Sequence, residues 1–322
     1  MLTGWVGGMD TDDDPKKVDY EYYEIDGETD AQELSTVDVA YYCLYDEDKA
    51  DGHVQKNKWM KTWRPTDAYD EDEDVSKKWY WLEKDGKAYI PEKEIAYGYK
   101  YSLGDGAMEV DTAGQFGFAV KKINSKDYFF NMEGEMLSSF IDVVETKDRD
   151  VIKKGVYYFG GSDDGSMKTG SQTVKDDNDD TFKFYFGTKD NKSTGEVKGR
   201  GITGNKNNKL YYKGHLVAAQ DYKYQTVDFN VNGNGVASTF IVNQNGSIQH
   251  SAVEYKEDGD VLIDAKTLKA EYNTTTGADK YSVKDTNKLI VNVDEIDETS
   301  VMAITGVYDP STPGDASPAN AQ

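Results

Sequence analysis

Val156-Tyr157-Tyr158-Phe159-Gly160-Gly161-Ser162-Asp163-Asp164-Gly165-Ser166-Met167-Lys168-Thr169-Gly170 is the stretch on which the fold turns. An aromatic run favours extended backbone. The Asp-Gly that follows suits a tight turn, because both residue types tolerate positive φ. A short second run then completes a hairpin.

The same unit recurs outward from there. Upstream it reads Tyr20-Glu21-Tyr22-Tyr23-Glu24-Ile25-Asp26-Gly27, Trp79-Tyr80-Trp81-Leu82-Glu83-Lys84-Asp85-Gly86-Lys87-Ala88-Tyr89, Tyr99 to Met108, and Tyr128 to Met136. Tyr41 to Tyr45, ending at Asp51-Gly52, is a divergent copy. Downstream the unit weakens through Phe182 to Gly187, Leu210 to Gly214 and Phe240 to Ile248. Gly27, Gly52, Gly86, Gly106, Gly134 and Gly165 are read as turn glycines, at irregular intervals that suit variable loops. A lone two-stranded hairpin is marginal in water, whereas stacked hairpins bury each other's aromatic faces. No window carries a sustained helical period.

These observations give an all-β fold: a solenoid of stacked β-hairpin repeats over residues 1–255. From about Val261 the pattern becomes aliphatic, in Val261-Leu262-Ile263, Tyr281-Ser282-Val283 and Leu289 to Val293. Residues 256–308 are therefore read as a C-terminal β cap or small β-domain, and 309–322 as a flexible tail.

Composition narrows the function. The chain has 322 residues and a formal net charge of −23. Its mean hydropathy is −0.78. That charge opposes nucleic-acid binding and anionic membranes. No stretch has the length and apolarity of a membrane span, so no membrane insertion is expected. The aromatic content is high for so polar a chain, with 24 Tyr, 11 Phe and 5 Trp. Such residues suit thin cores and wet grooves, having an apolar body and a polar tip. Cys43 is the only cysteine and excludes an internal disulfide; it reads as a buried structural thiol. His53, His215 and His250 lie in unrelated contexts, and the abundant carboxylates carry no pairing signal, so no catalytic set, metal or cofactor is assigned. Asp10, Asp12, Asp14 and Glu21 match the ligand spacing of a calcium loop. Pro15, however, stands where that loop needs glycine, and the acidic runs are read as solvated connections.

The unit Tyr-Tyr-Phe, polar loop, Asp-Gly-x-Met-x-Thr-Gly at Val156 to Gly170 resembles the cell-wall-binding repeat family. That family comprises choline-binding modules, streptococcal glucan-binding repeats and the repeats of large clostridial toxins. Thr3-Gly4-Trp5-Val6 resembles the start of one repeat. The resemblance covers roughly residues 1–255 in degenerate copies. It implies a non-catalytic module that anchors a secreted or surface bacterial protein, located outside the cell, at the cell surface or in the cell wall. Its partners would be cell-wall polysaccharide, glucan or choline-bearing teichoic acid. A choline site in that family uses Gly-Trp at a repeat start; here it occurs only at Gly4-Trp5, and the later repeats lack Trp.

The candidate ligand residues are Trp5, Trp59, Trp63, Trp79, Tyr80, Trp81, Tyr89, Tyr157, Tyr158, Tyr211 and Tyr212. Rings of this kind stack on the apolar faces of sugars, but they would be needed equally as core between hairpins. Alternation puts Trp79 and Trp81 on one face of their strand and Tyr80 on the other. The competing reading is a structural spacer or adhesin module that presents its loops to a protein partner, including a host protein.

Overall fold

The structure is a computed structural model that describes residues 2, 4–14, 16–25, 34–46, 51–62, 77–104, 107–110, 114–191, 196–220, 222–229, 238–251 and 253–265. It is almost entirely β-strand. The strands are β1 (Gly4–Asp10), β2 (Tyr20–Glu24), β3 (Val39–Asp46), β4 (Asp51–Val54), β5 (Lys58–Thr62), β6 (Lys78–Leu82), β7 (Ala96–Gly104), β8 (Ala107–Val110), β9 (Phe116–Ile123), β10 (Lys126–Asn131) and β11 (Phe140–Thr146). They continue with β12 (Gly155–Tyr158), β13 (Gly170–Lys175), β14 (Thr181–Phe186), β15 (Gly204–Lys206), β16 (Lys209–Tyr212), β17 (His215–Val217), β18 (Tyr224–Phe229), β19 (Ser238–Asn243), β20 (Glu254–Glu257) and β21 (Asp260–Asp264). A short 3-10 turn stands at Leu34–Thr36. The chain thus adopts the all-β hairpin-repeat fold expected from its turns and aromatic runs.

The strands fall into two compact units. The first comprises Met1–Tyr97, Phe116–Ser138 and Gly161–Ser166; the second comprises Gly98–Gln115, Ser139–Gly160 and Met167–Gln322.

In the first unit, β2-β1-β3-β4 form one antiparallel sheet, and β5–β6 and β9–β10 are hairpins. The repeat is built from a five-residue turn. In Glu83-Lys84-Asp85-Gly86-Lys87 the Glu83 amide donates to the Lys87 carbonyl, and the Gly86 amide donates to the Glu83 carbonyl. Asn131 to Glu135 repeats both bonds. After each turn a short return segment bonds its own hairpin: the Tyr89 amide donates to the Trp81 carbonyl, and Leu137 to Phe129. Its neighbouring residue reaches back to the previous hairpin, Ala88 to the Ala40 carbonyl and Met136 to the Trp79 carbonyl. This alternation is what makes successive hairpins stack.

The turn glycine seals the stack. Gly134 has φ of +79°, and a Cβ there would stand 2.6 Å from the Tyr89 carbonyl oxygen of the preceding return segment. Only glycine combines that left-handed backbone with so close an approach. Gly86, with φ of +96°, instead abuts the Val54 side chain.

In the second unit β7 pairs β8, β11 pairs β12, and β13-β14-β17-β16-β15 form a sheet. The same turn recurs at Asn243 to Ser247, where Gly246 rests on Leu216. The core here joins the rings of Tyr101, Phe140, Phe184 and Phe186 with the aliphatic Leu103 and Val156. The aliphatic hairpin β20–β21 shares a small cluster with β18–β19 through Ile241, Tyr255, Ala265, Tyr224 and Ile263. The aliphatic runs at 281–283 and 289–293 lie outside the described residues.

One of the expected turns differs. Gly52 is not a turn residue; it lies within β4, opposite Tyr45 of β3. Asp-Gly permits a turn without requiring one, and here both residues are paired within a strand. Gly27 and Gly106 lie outside the described residues. In the acidic loop, Asp10 Oδ1 accepts the amides of Asp12 and Asp19, and Asp12 and Asp14 each accept the amide two residues on. These carboxylates are engaged in holding the loop's own backbone; Pro15 is outside the described residues.

Candidate functional site

The aromatic-rich hairpin β5–β6 sets the site. Its register places Trp59 opposite Trp81, Met60 opposite Tyr80 and Lys61 opposite Trp79. One face therefore carries Trp59, Lys61, Trp79 and Trp81, and the other carries Met60, Tyr80 and Leu82. The alternation read from the sequence is present, and both faces are packed. Tyr80 and Leu82 join Trp5, Ile25, Leu34 and Ala40. Trp81 joins Ile123, Tyr128, Phe130 and Met136, with Trp59, Trp79 and Tyr89 packed half-buried against them.

The rings of that second cluster fill one another's space. Trp59 stacks on Phe130 at 5.9 Å, meets Tyr128 at 4.9 Å and stands edge-on to Trp81 at 5.4 Å. Tyr89 is edge-on to Phe130 at 4.9 Å. Such pairs each contribute about 0.5–1.5 kcal/mol beyond area burial. Lysines of the same chain occupy the outward ring faces. Lys61 Nζ lies 5.8 Å from the Trp79 centroid, and Lys121 Nζ lies 3.9 Å from that of Tyr89. Each lysine has a carboxylate partner, Asp163 at 2.5 Å for Lys61 and Glu83 at 2.5 Å for Lys121. Burial, and after it Glu83 and Glu92, raise the Tyr89 hydroxyl above its ordinary range.

Beside this cluster lies a groove of about 510 Å³ between the hairpins β5–β6 and β9–β10. Trp81 and Ile123 supply its apolar part. Asn57, Glu83, Lys84, Asp85, Lys121, Lys122 and Asn124 supply its rim. The lining has two amides, two carboxylates and three ammonium groups, and carries no histidine, hydroxyl or thiol. Its volume falls in the range of small-ligand clefts. Trp81 and Ile123 are themselves buried, so the apolar floor is narrow; amides and charges of both signs around it give a sugar's hydroxyls donors and acceptors at the side.

The remaining sequence candidates are placed as follows. Trp5 is buried between Tyr42 and Tyr80, at 5.1 and 4.9 Å. Tyr157 is fully buried and donates its hydroxyl to the Lys153 carbonyl. Tyr158 is half-buried and stacks on Phe140 at 4.4 Å. Tyr211 and Tyr212 are buried, Tyr211 packing on Tyr185 at 5.7 Å. Trp63 lies outside the described residues. Cys43 is buried, and burial followed by the charge of Glu24 pushes its thiol up, away from nucleophilic use.

Sequence reading nominated the rings but not the groove's polar rim. Asn57, Glu83, Lys121 and Asn124 gave no signal, because residues 57–85 and 121–124 meet only once the hairpins stack.

A scan against family models matches none, and no curated protein matches. Among solved structures the chain is similar to choline-binding protein F from Streptococcus pneumoniae, crystallised in the presence of a peptidoglycan analogue. The identity is 18%, over 81% of this chain and 83% of that one, with a TM-score of 0.26. It is also similar to CbpJ from Streptococcus pneumoniae, at 15% identity over 77% of this chain and 87% of that one, with a TM-score of 0.15. At such scores the chains do not superimpose as wholes, so function has to be read from this chain's own residues.

Proposed function

We propose that the chain is a non-catalytic glycan-binding repeat module that holds a secreted or surface bacterial protein on cell-wall polysaccharide. The observation that carries this reading is the groove between β5–β6 and β9–β10, where Trp81 and Ile123 lie under a rim of Asn57, Glu83, Lys121 and Asn124. Shallow sites of this kind bind weakly one at a time, and a repeated array gains strength from several at once. The acidic net charge directs the module toward neutral or amino-bearing chains rather than polyanions.

The test is co-sedimentation of the intact chain with purified Gram-positive cell walls, competed separately with peptidoglycan fragments, glucan and choline. The expected result is pelleting with the walls, relieved by a soluble glycan and weakened by Lys121→Ala. A chain that stays in the supernatant with every wall preparation overturns the reading.

One observation favours the spacer or adhesin alternative: Trp5, Tyr80, Trp81, Tyr157, Tyr211 and Tyr212 are buried, so much of the aromatic content serves packing. On that reading the walls would leave the chain in solution while a protein partner retained it.

A further inference from the structure

The sheet β2-β1-β3-β4 packs one face into the core; on the other face Val6, Val39 and Cys43 are buried, while Tyr20 and Tyr41 are half-buried and Tyr22 is exposed. On the inner face Trp5 and Ala40 belong to the core, with Tyr23 and Tyr42 packed against it. On the outer face Tyr20 and Tyr22 of β2 are followed, two strands over, by Tyr41 of β3. The register explains the row. Tyr22 and Val39 both stand opposite Gly8 of β1, and Tyr41 stands opposite Val6. Neighbouring strands lie about 4.8 Å apart, so β2 and β3 are separated by two such spacings. Gly8 lets the rings close over that gap. A Cβ at Gly8 would stand 3.0 Å from Tyr22 Cε1 and 2.8 Å from Val39 Cγ2, so the tyrosine ring lies against bare backbone. Ring centroids are 6.0 Å apart for Tyr20 and Tyr22 and 6.1 Å for Tyr22 and Tyr41, with 56° between planes in both pairs. Tyr22 is 48% exposed, although a tyrosine placed here for packing would be covered.

The flanks of the row are acidic. Asp10 stands opposite Tyr20 on this face, Glu24 lies two residues beyond Tyr22, and the charge of Asp85 acts on Tyr41. Lys87, bridged to Tyr41 through the backbone, is a basic group on the same flank. A row of tilted rings spaced by about one sugar residue suits a twisted linear glycan, and the carboxylates repel uronates and phosphates while attracting ammonium groups.

We propose that Tyr20, Tyr22 and Tyr41 form a second carbohydrate platform, separate from the groove, that selects linear glycans bearing free amino groups. The proposal rests on the glycan-binding reading for its ligand type, but on different residues.

The test is calorimetric titration of the intact chain with chitosan tetraose, chitin tetraose and tetragalacturonate, for the parent chain and for Tyr22→Ala, Tyr41→Ala and Lys121→Ala. The expected order is chitosan over chitin, with no uronate binding. Tyr22→Ala should weaken chitosan about tenfold, whereas Lys121→Ala should remove only the groove's contribution and leave a chitosan-binding step that Tyr22→Ala abolishes. Unchanged affinity in both tyrosine variants overturns the platform alone, as does equal binding of the uronate. Glycan binding that vanishes only in Lys121→Ala assigns all of it to the groove and likewise overturns the platform. No binding of any glycan by the parent chain overturns both readings. Sedimentation velocity run alongside covers the remaining occupant: a dimer dissolved by Tyr22→Ala would assign this face to a second copy and overturn the proposal.

Discussion

The indole nitrogen of Trp79 donates to Asp163 Oδ1 at 2.9 Å, joining a strand residue to a turn residue 84 positions later in the chain. Lys61, opposite Trp79 across the hairpin, reaches the same oxygen at 2.5 Å. One exposed carboxylate thus fixes the outer edge of the tryptophan face.

That carboxylate has a measurable signature. The hydrogen bond from Lys61, and after it the one from Trp79, hold the Asp163 carboxyl below its ordinary range. A depressed carboxylate contributes stability above its unfolded pKa and loses it as pH falls through the folded one. Carbon-detected NMR titration should place the Asp163 midpoint below that of an ordinary aspartate, and Lys61→Ala should move it upward. A midpoint indifferent to Lys61 would show that the bond does not persist in solution.

Tyr41 titrates late. Burial first, then the neighbouring Tyr22 and Asp85, push its hydroxyl from 10.0 up to about 12. A raised folded pKa means a contribution present below the unfolded value and lost as pH rises through the folded one. Tyrosine-labelled NMR should therefore show one ring ionising well after most of the others, with stability declining across that alkaline interval. Replacing Tyr22 with Phe should bring the midpoint down; a Tyr41 that ionises at the ordinary value would contradict the described outer face.

Gly134→Ala should destabilise the first unit by about 1–3 kcal/mol, combining left-handed backbone strain with contact on the Tyr89 carbonyl. Gly161 is the control, since a Cβ there meets nothing within 4 Å. Urea unfolding of the two variants separates them: a Gly134→Ala midpoint equal to that of Gly161→Ala would remove the turn glycine from its stacking role.

Cys43 should be slow to modify. It is buried within β3, and its thiol is pushed up by burial and then by Glu24. Ellman's reagent should react slowly with the native chain and quickly in denaturant. Fast native labelling would mean that β3 opens readily.

The hairpins were legible because their turns are chemically specific. Gly86 and Gly134 each close a five-residue turn after an aromatic strand, and local residue types carry that information. The Asp51-Gly52 pair misled for the same reason: the dipeptide permits a turn, but pairing with Tyr45 places it in a strand. Which rings are covered was less legible. Alternation separates Trp79 and Trp81 from Tyr80, yet both faces of β6 are packed, because Trp5 arrives from one side and Phe130 from the other. No local pattern encodes those arrivals. The groove's rim joins residues 57 and 83–85 to 121–124, and Lys121 acquires its partners only through that stacking.

Glycan binding in the groove beside Trp81 can be observed residue by residue. The measurement is amide-detected NMR with a soluble peptidoglycan disaccharide, on the parent chain and on Lys121→Ala. Shifts should concentrate at Asn57, Trp81, Glu83, Lys121 and Asn124, saturating in the parent and weakened in the variant. Shifts that bypass these residues, or a spectrum the disaccharide leaves unchanged, would contradict binding in the groove.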